Sequence, residues 1–271
     1  MNSWNIRGDL HVHAHHTNCD HHKPGDPVDY HDAFCGRGAI REMREYLKNE
    51  NFFYAAIVNH ATDPKEPVPV SPESEEKIAH HIKYVAEANE ERTPDAPLLL
   101  AGIEVSVLPD GGLDVSHEKL CQLDINILSR HAGTTSWDIP KTIAVLEPLF
   151  AKHPIHVLGH PTRYSPPETL VGIENLLALC KKYEVAFELN AYHPFGVEQV
   201  QRVLQSEVLI TLGSDIHLNA LGDPKSKKSI RDIKEIVQLQ DAGFPKNRLI
   251  NTWPFQKVDK WLLSRKKMCN V

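Results

Sequence analysis

The sequence lacks the features that mark several common protein classes. No apolar run approaches the roughly 20 residues that a membrane-spanning helix needs. The five cysteines are odd in number, widely spaced and without a CxxC pair, so we expect reduced thiols and no disulfide framework. The amino terminus has no basic region followed by an apolar core. We therefore expect a cytoplasmic protein without a secretory signal.

Charge and glycine placement argue against two classes of binding protein. The formal net charge is −6, and only the short segments 225–228 and 265–267 are locally basic. This pattern gives no strong nucleic-acid-binding footprint. No glycine-rich phosphate loop follows the first predicted strand, which argues against a nucleotide-binding Rossmann or P-loop protein.

The chain is long enough, and apolar enough, to bury a sizeable core. Its 271 residues, 41% of them hydrophobic, fit one large domain, and we expect residues 1–271 to form a single one. Histidine is the unusual component, with 17 copies. Five of these have no recurring context and are expected to be surface or structural residues: His80, His81, His117, His153 and His156.

Short apolar runs alternate with amphipathic segments along the whole chain. The predicted strands are 6–13, 54–59, 97–103, 123–129, 155–159, 185–189 and 208–213. The predicted helices, with apolar residues at spacings of three and four, are 39–48, 73–91, 140–152, 167–183, 197–205 and 229–242. Strands that alternate with helices predict an α/β fold with a parallel sheet. Two long polar loops, 18–38 and 61–72, are expected to shape a substrate pocket.

The two ends of the chain carry matching patterns of metal-binding residues. Side chains alternate faces along a strand, so His11 and His13 in Asp-Leu-His-Val-His point the same way, about 7 Å apart. The same holds for Asp215 and His217 in Ser-Asp-Ile-His. The two pairs can meet only if the sheet closes on itself, which favours a barrel over an open sheet.

Every predicted strand ends in a histidine or an acidic residue. Beside the two terminal pairs, these residues are His60, Glu104, His131, His160 and Glu188. Because burying so many titratable groups without a counter-charge would be very costly, we expect metal ions among them. Imidazole and carboxylate groups together suit Zn, Mn or Fe.

In order and spacing, these strand ends resemble the motifs of the PHP (polymerase and histidinol phosphatase) superfamily. The matching segments are Asp-Leu-His-Val-His, Val-Asn-His, Gly-Ile-Glu, Arg-His-Ala, Gly-His-Pro and Gly-Ser-Asp-Ile-His. The resemblance covers essentially the whole chain and is greatest to the compact, stand-alone PHP phosphoesterases. It implies a distorted, TIM-like (β/α)7 barrel that holds two or three divalent metals.

The resemblance also implies a ligand set for each metal. The first metal would take His11, His13, Glu104 and Asp215. The second would take Glu104, His131 and His160, with Glu104 bridging the two ions. At the reaction centre we expect a metal-bound water, Glu104, Asp215 and His217.

The third metal implied by the resemblance has three candidates for one of its ligands. His60 and His217 would supply two ligands, and a further residue would follow the His-x-His pair. Asp20 is the first choice, His21 the second, and Cys19 lies at a plausible spacing for a zinc thiolate.

Other residues are expected to support the site. Glu188 would be a supporting or structural residue, and Asp9 a partner of a ligating histidine. Arg163, three residues after His160, is the candidate for binding the substrate phosphate through its planar guanidinium. Arg130 is a second candidate, although strand alternation points it to the opposite face.

These residues together predict a metal-dependent phosphoesterase that acts on a small phosphomonoester or a nucleotide. An exonuclease or oligonucleotide phosphodiesterase is a variant of this hypothesis. An amidohydrolase-type enzyme is a further alternative, although no lysine on a middle strand offers a carbamylated bridge. A non-catalytic PHP binding module is the alternative outside enzymes.

Overall fold

In the part of the chain that the structure describes, eight parallel strands form one curled sheet, and most strands that are neighbours in the sequence also lie side by side. The computed structural model describes residues 4–14, 37–62, 65–131, 133–134, 136–161, 170–192, 195–217 and 229–270. The strands are β1 Gly8–His13, β2 Tyr54–His60, β3 Leu98–Val107, β4 Ile125–Arg130, β5 Val157–Leu158, β6 Ala186–Asn190, β7 Ile210–Gly213 and β8 Ile216–His217. Their spatial order is β7-β6-β5-β4-β3-β2-β1-β8.

Helices connect the strands. They are α1 Arg37–Asn49, α2 Pro72–Glu90, α3 His117–Gln122, α4 Ile139–Lys152, α5 Leu170–Lys182, α6 Val197–Gln205, α7 Lys234–Asp241 and α8 Phe255–Lys266. Side-chain caps begin several of them: Ser71 accepts from the Ser74 backbone N–H, and Asp138 accepts from that of Lys141. No helix in these described ranges is long and apolar enough to cross a lipid bilayer.

The expected α/β fold of the TIM-like barrel type is confirmed, with local differences. The end of the last predicted strand continues as a separate short strand, β8, because Asp215 has a positive φ of 53° that interrupts the extended backbone. The strand β3 is longer than the predicted segment 97–103, so Glu104 lies inside it. The six-residue helix α3 was not predicted, because it is too short to show a clear helical period.

The curl of the sheet brings its first and last segments together. The strand β8 pairs with β1 in parallel, with His13 opposite His217. Just before β8, the Asp215 backbone N–H donates to the His11 carbonyl at 2.8 Å. The two metal-competent pairs at opposite ends of the chain are therefore neighbours.

The inner face of the sheet has an apolar layer below a polar one. Val58 and Ile127 belong to a buried cluster with Trp261 and Leu262 of α8, which fills the inside near the strand starts. His60 lies two residues after Val58 in β2, on the same face of the strand. Alternation thus places the polar layer at the carboxyl ends of the strands, where barrel enzymes carry their active sites.

The expectation that all cysteines are reduced thiols is wrong for one pair. Cys121 of α3 and Cys269, in the 3-10 segment after α8, form a disulfide with a Cα–Cα distance of 5.6 Å. Their sequence separation of 148 residues conceals this proximity, which only the fold creates. Cys180 is a buried free thiol, whereas Cys19 and Cys35 lie outside the described residues.

Candidate metal centre

The structure brings eight of the sequence-predicted ligands together at the carboxyl ends of the strands. Five of them lie in β1, β2, β3 and β8, and the other three lie within two residues of the end of β4 or β5 or directly before β8, so that the sheet itself fixes their backbone positions. The eight are His11, His13, His60, Glu104, His131, His160, Asp215 and His217.

Glu104 lies at the middle of this group and is almost completely buried, with 1% of its surface exposed. Its Oε2 atom is 3.5 Å from Nε2 of His11, 3.5 Å from Nε2 of His13 and 3.2 Å from Nδ1 of His60. One carboxylate oxygen thus faces three imidazole nitrogens from two strands.

The other oxygen of Glu104 faces two further histidines. Oε1 is 3.2 Å from Nε2 of His131 and 2.5 Å from Nε2 of His160. The opposite ring nitrogen of His131, Nδ1, is 2.8 Å from Oγ of Ser106. Sequence reasoning missed Ser106, although its position two residues after Glu104 places it on the same face of β3.

Asp215 lies directly before β8 and contacts the histidines of β1. Its Oδ1 atom is 3.2 Å from Nε2 of His13 and 3.8 Å from Nε2 of His11. The rings of His13 and His217 stack with their centroids 4.2 Å apart. His217 is the more exposed partner, with 22% of its side chain accessible, and lies at the rim.

Glu188 orients two of the histidines from β6. Its Oε1 atom is 2.7 Å from Nδ1 of His11, and its Oε2 accepts the His160 backbone N–H at 2.7 Å. Asn190 donates to the same Oε2 at 3.2 Å and to Oδ2 of Asp215 at 3.4 Å. The partner of the His11 ring is therefore Glu188.

Asp9 has a different role from the expected one. Its Oδ1 atom accepts the backbone N–H groups of His11 at 3.1 Å and Ser214 at 3.4 Å, so it holds main chain and not an imidazole. Burial raises the pKa of Asp9 to about 7.

Gly213 provides the space that this arrangement needs. A Cβ atom there would lie 2.1 Å from Oε1 of Glu188 and 2.9 Å from Cβ of His11. No side chain fits without moving one of these two groups, so the glycine allows β7 to approach the centre.

The centre has strong internal electrostatics. Burial alone would raise the pKa of Glu104, but the surrounding histidines, His60 and His160 first, hold it well below its usual range. Burial alone would lower the pKa of His11, but Glu188 and then Glu104 hold it well above the usual value. At His60, burial dominates and lowers the pKa well below its usual value.

The donor set fits a cluster of metal ions. Among the described residues, the buried ring nitrogens that make no hydrogen bond include Nε2 of His11, Nε2 of His13 and Nδ1 of His60. Such buried polar atoms are costly unless something binds them. Three overlapping trios have ligand atoms within 4.8 Å of one another: His11–His13–Glu104, His60–Glu104–His131 and His13–His60–His217.

Four other residues that we expect at the site lie outside the described residues, and their roles stay predictions. They are Asp20, His21, Cys19 and Arg163. Arg130 points away from the centre, as strand alternation predicts, and its Nη1 donates to Oγ1 of Thr142 in α4 at 3.0 Å.

Comparison with known proteins finds one informative similarity. No protein-family model matches the chain. The chain is 27% identical over 232 residues to the "DNA polymerase/3'-5' exonuclease PolX" of Bacillus subtilis (strain 168). The aligned region covers 82% of this chain but 36% of the relative, so the chain spans about a third of that protein's length.

Proposed function

We propose that this chain is a metal-dependent phosphoesterase of the PHP type, which hydrolyses a small phosphomonoester or a nucleotide. The observation that carries the proposal is the pair of Glu104 oxygens, which face five imidazoles. The similarity to an exonuclease supports phosphoester chemistry, because an exonuclease hydrolyses phosphodiester bonds.

The chain's own residues would hold and shape the centre. Glu104 would be a metal ligand through its carboxylate, while Glu188 fixes the His11 ring so that Nε2 faces Glu104 and Asp215. Asp215 and His217 would bind at the rim, where the centre meets solvent. When bound, Zn, Mn or Fe ions supply a water of lowered pKa and positive charge for the phosphoryl oxygens.

Small substrates fit the charge of the chain better than long nucleic acids. The net charge is −6, and a long duplex would need many Lys and Arg contacts with its phosphates. In the proposed complex, Arg163 binds the substrate phosphate through two N–H groups. The relative's exonuclease name favours one second candidate, the hydrolysis of short oligonucleotides.

The test is a hydrolysis screen with a matched pair of variants. Purified chain is assayed with Mn²⁺, Zn²⁺ and Fe²⁺ on phosphorylated metabolites, dinucleotides, an amide and a lactone. We expect Glu104→Gln to lose at least about 10³-fold in turnover, because nucleophile and charge stabilisation both depend on the metals. Glu147→Gln, at an exposed ion pair with Lys182, should keep parental activity.

The outcomes separate the candidate functions. Release of phosphate from monoesters that is faster than cleavage of dinucleotides supports the proposal, whereas preferential cleavage of dinucleotides supports the exonuclease variant. Hydrolysis of the amide or lactone alone would point to an amidohydrolase, and metal binding without any hydrolysis to a binding module. Near-normal turnover of Glu104→Gln would contradict the assigned centre.

A further inference from the structure

A second group of metal-competent side chains lies on another part of the molecule. His117 and Cys121 belong to α3, and Cys269 belongs to the 3-10 segment after α8. Their ligand atoms all lie within 4.8 Å of one another, and Nε2 of His117 is 3.6 Å from Sγ of Cys121. The α3 helix ends before β4 begins, whereas the centre described above lies at the ends of the strands.

Local structure explains how the three residues meet. His117 and Cys121 are four positions apart in a helix, a spacing that places both side chains on one face. Ser116 caps this helix by accepting the Lys119 backbone N–H at 3.3 Å. The tertiary fold then brings Cys269 to that face, at a Cα–Cα distance of 5.6 Å from Cys121.

A fourth residue is placed to orient the imidazole. Nδ1 of His153, the residue after α4, is 3.2 Å from Nδ1 of His117. A histidine that binds metal through one ring nitrogen usually donates its other N–H to a fixed acceptor. With Nε2 of His117 directed at the sulfurs, its Nδ1–H can donate to Nδ1 of a neutral His153.

We propose that, once the Cys121–Cys269 disulfide is reduced, the two thiolates and Nε2 of His117 bind one Zn²⁺ ion. Two sulfurs and an imidazole are preferred zinc ligands, and water completes a tetrahedral set. The same residues then link α3 to the C-terminal segment in two chemical forms, a disulfide or a zinc site.

Conversion between the two forms balances with a dithiol reductant such as dithiothreitol. The reductant supplies two electrons and two protons, the S–S bond breaks to give two thiols, and the reductant becomes a cyclic disulfide. Zinc binding then releases the thiol protons, since the thiolate is the ligand. In a reducing compartment, where disulfides seldom persist, the zinc form would be the stable one.

The test uses Co²⁺ as a spectroscopic substitute for zinc in the full chain. The protein is reduced with dithiothreitol without oxygen, the reductant is removed, and free thiols are counted after denaturation. Co²⁺ bound to thiolates absorbs in the near ultraviolet, whereas a centre of imidazoles and carboxylates does not. We expect one equivalent of thiolate-bound Co²⁺ in the reduced parent, none in the oxidised parent, and its displacement by Zn²⁺.

Variants assign the signal to these residues. Cys121→Ser and Cys269→Ser should each abolish it, and His117→Gln should weaken Co²⁺ binding at least about tenfold. His153→Gln, which acts through His117, should weaken it about 10- to 100-fold. Cys180→Ala, at the buried free thiol, and Cys19→Ser, at the alternative ligand of the main centre, should leave it unchanged.

Two results would overturn the proposal. One is a fully reduced parent that shows no thiolate–cobalt absorption. The other is a signal that survives in Cys121→Ser and Cys269→Ser but disappears in Cys19→Ser, which would place the thiolate in the main centre. Far-ultraviolet circular dichroism tests whether each serine variant is folded. If either is unfolded, Co²⁺ binding by His117→Gln takes its place, and unchanged binding in that variant would overturn the proposal.

Discussion

At the residue scale, two imidazoles of the centre are oriented by a group that contacts their other ring nitrogen. For His11 this group is the Glu188 carboxylate, and for His131 it is the Ser106 hydroxyl. Ser106 is held in turn, because its backbone N–H donates to the Asp114 carboxylate at 2.8 Å. Burial raises the pKa of Asp114 to about 7. The ring orientations therefore depend on residues that need not touch a metal themselves.

The first prediction concerns Glu188. In Glu188→Gln the amide is close in shape to the carboxylate but loses its negative charge. The His11 ring should then be a weaker ligand, and metal affinity or activity should fall about 10- to 100-fold. Metal content by elemental analysis, together with turnover at increasing metal concentration, measures this. Unchanged values in both assays would show that Glu188 does not orient His11 for binding.

The second prediction separates the ligand candidates for the third metal. Asp20→Ala should lose one ion selectively and regain part of its activity in excess metal, because Asp20 is expected to contact a single ion at the rim. His21→Ala is the matched variant and should retain all ions. Metal stoichiometry after gel filtration measures both variants. If His21→Ala loses the ion while Asp20→Ala keeps it, the third ligand is His21.

At the element scale, the two-residue alternation of strands separates the functions of their two faces. Along β3, Glu104 and Ser106 face inward to the centre, while Ile103 and Val105 join the apolar cluster between sheet and helices.

A histidine also joins strands to a helix outside the centre. In the described structure, His156 lies next to β5 and is fully buried, with Nδ1 accepting the Asn126 backbone N–H at 3.0 Å.

The third prediction follows from this buried histidine. Its Nε2 is 3.1 Å from the Leu262 carbonyl of α8, so the ring is neutral, with one nitrogen donating and the other accepting. Burial lowers the pKa of His156 from 6.5 to about 3. As the pH falls below 6.5, the unfolded chain binds a proton that the folded chain does not. The stabilisation is full above that pH and declines toward pH 3.

Chemical denaturation measures this effect. At about pH 5 the free energy of unfolding should have lost about 2 kcal/mol through His156, at about 1.4 kcal/mol per pH unit. His156→Gln keeps one donor and one acceptor but does not titrate. Between about pH 7.5 and pH 5, its free energy of unfolding should therefore fall by about 2 kcal/mol less than that of the parent. His80→Gln, at a partly exposed position, serves as the control. Parallel pH profiles for parent and His156→Gln would contradict the prediction.

At the scale of the whole molecule, the two ends of the chain hold the barrel together. The carboxyl-terminal helix α8 fills the inside near the strand starts, with Trp261 and Leu262 in the inner apolar cluster. Asn251, shortly before α8, links β1 to β7, because its Nδ2 donates to the carbonyls of Gly8 and Leu212 at 2.9 Å. The Cys121–Cys269 disulfide adds a covalent link between α3 and the last described segment.

The fourth prediction concerns this link. The disulfide closes a segment of 148 residues, so it restricts the unfolded chain strongly. In the presence of a chelator, reduction should lower the free energy of unfolding by about 2–5 kcal/mol. Urea denaturation with and without dithiothreitol measures the loss. Cys269→Ser should show no response to the reductant, and equal midpoints for oxidised and reduced parent would contradict the prediction.

The sequence by itself determined the fold class and where most strands lie. These are local properties: alternation with a period of two, amphipathic spacing of three and four, and polar residues at the strand ends. For the same reason it placed His11 and His13 on one face and Arg130 on the other. Elements of only a few residues show no clear period in the sequence, so α3 and the division between β7 and β8 could not be predicted.

The tertiary structure alone decided which distant residues touch. Glu188 lies 177 positions from His11 along the chain, and their contact depends on how the sheet curls and on the lateral order of β6, β7 and β1. Gly213 matters only because that curl brings β7 against Glu188 and His11. Cys121 and Cys269 meet because α8 lies across the strand starts. Such contacts carry no local period in the sequence, since their geometry arises from the packing of whole elements.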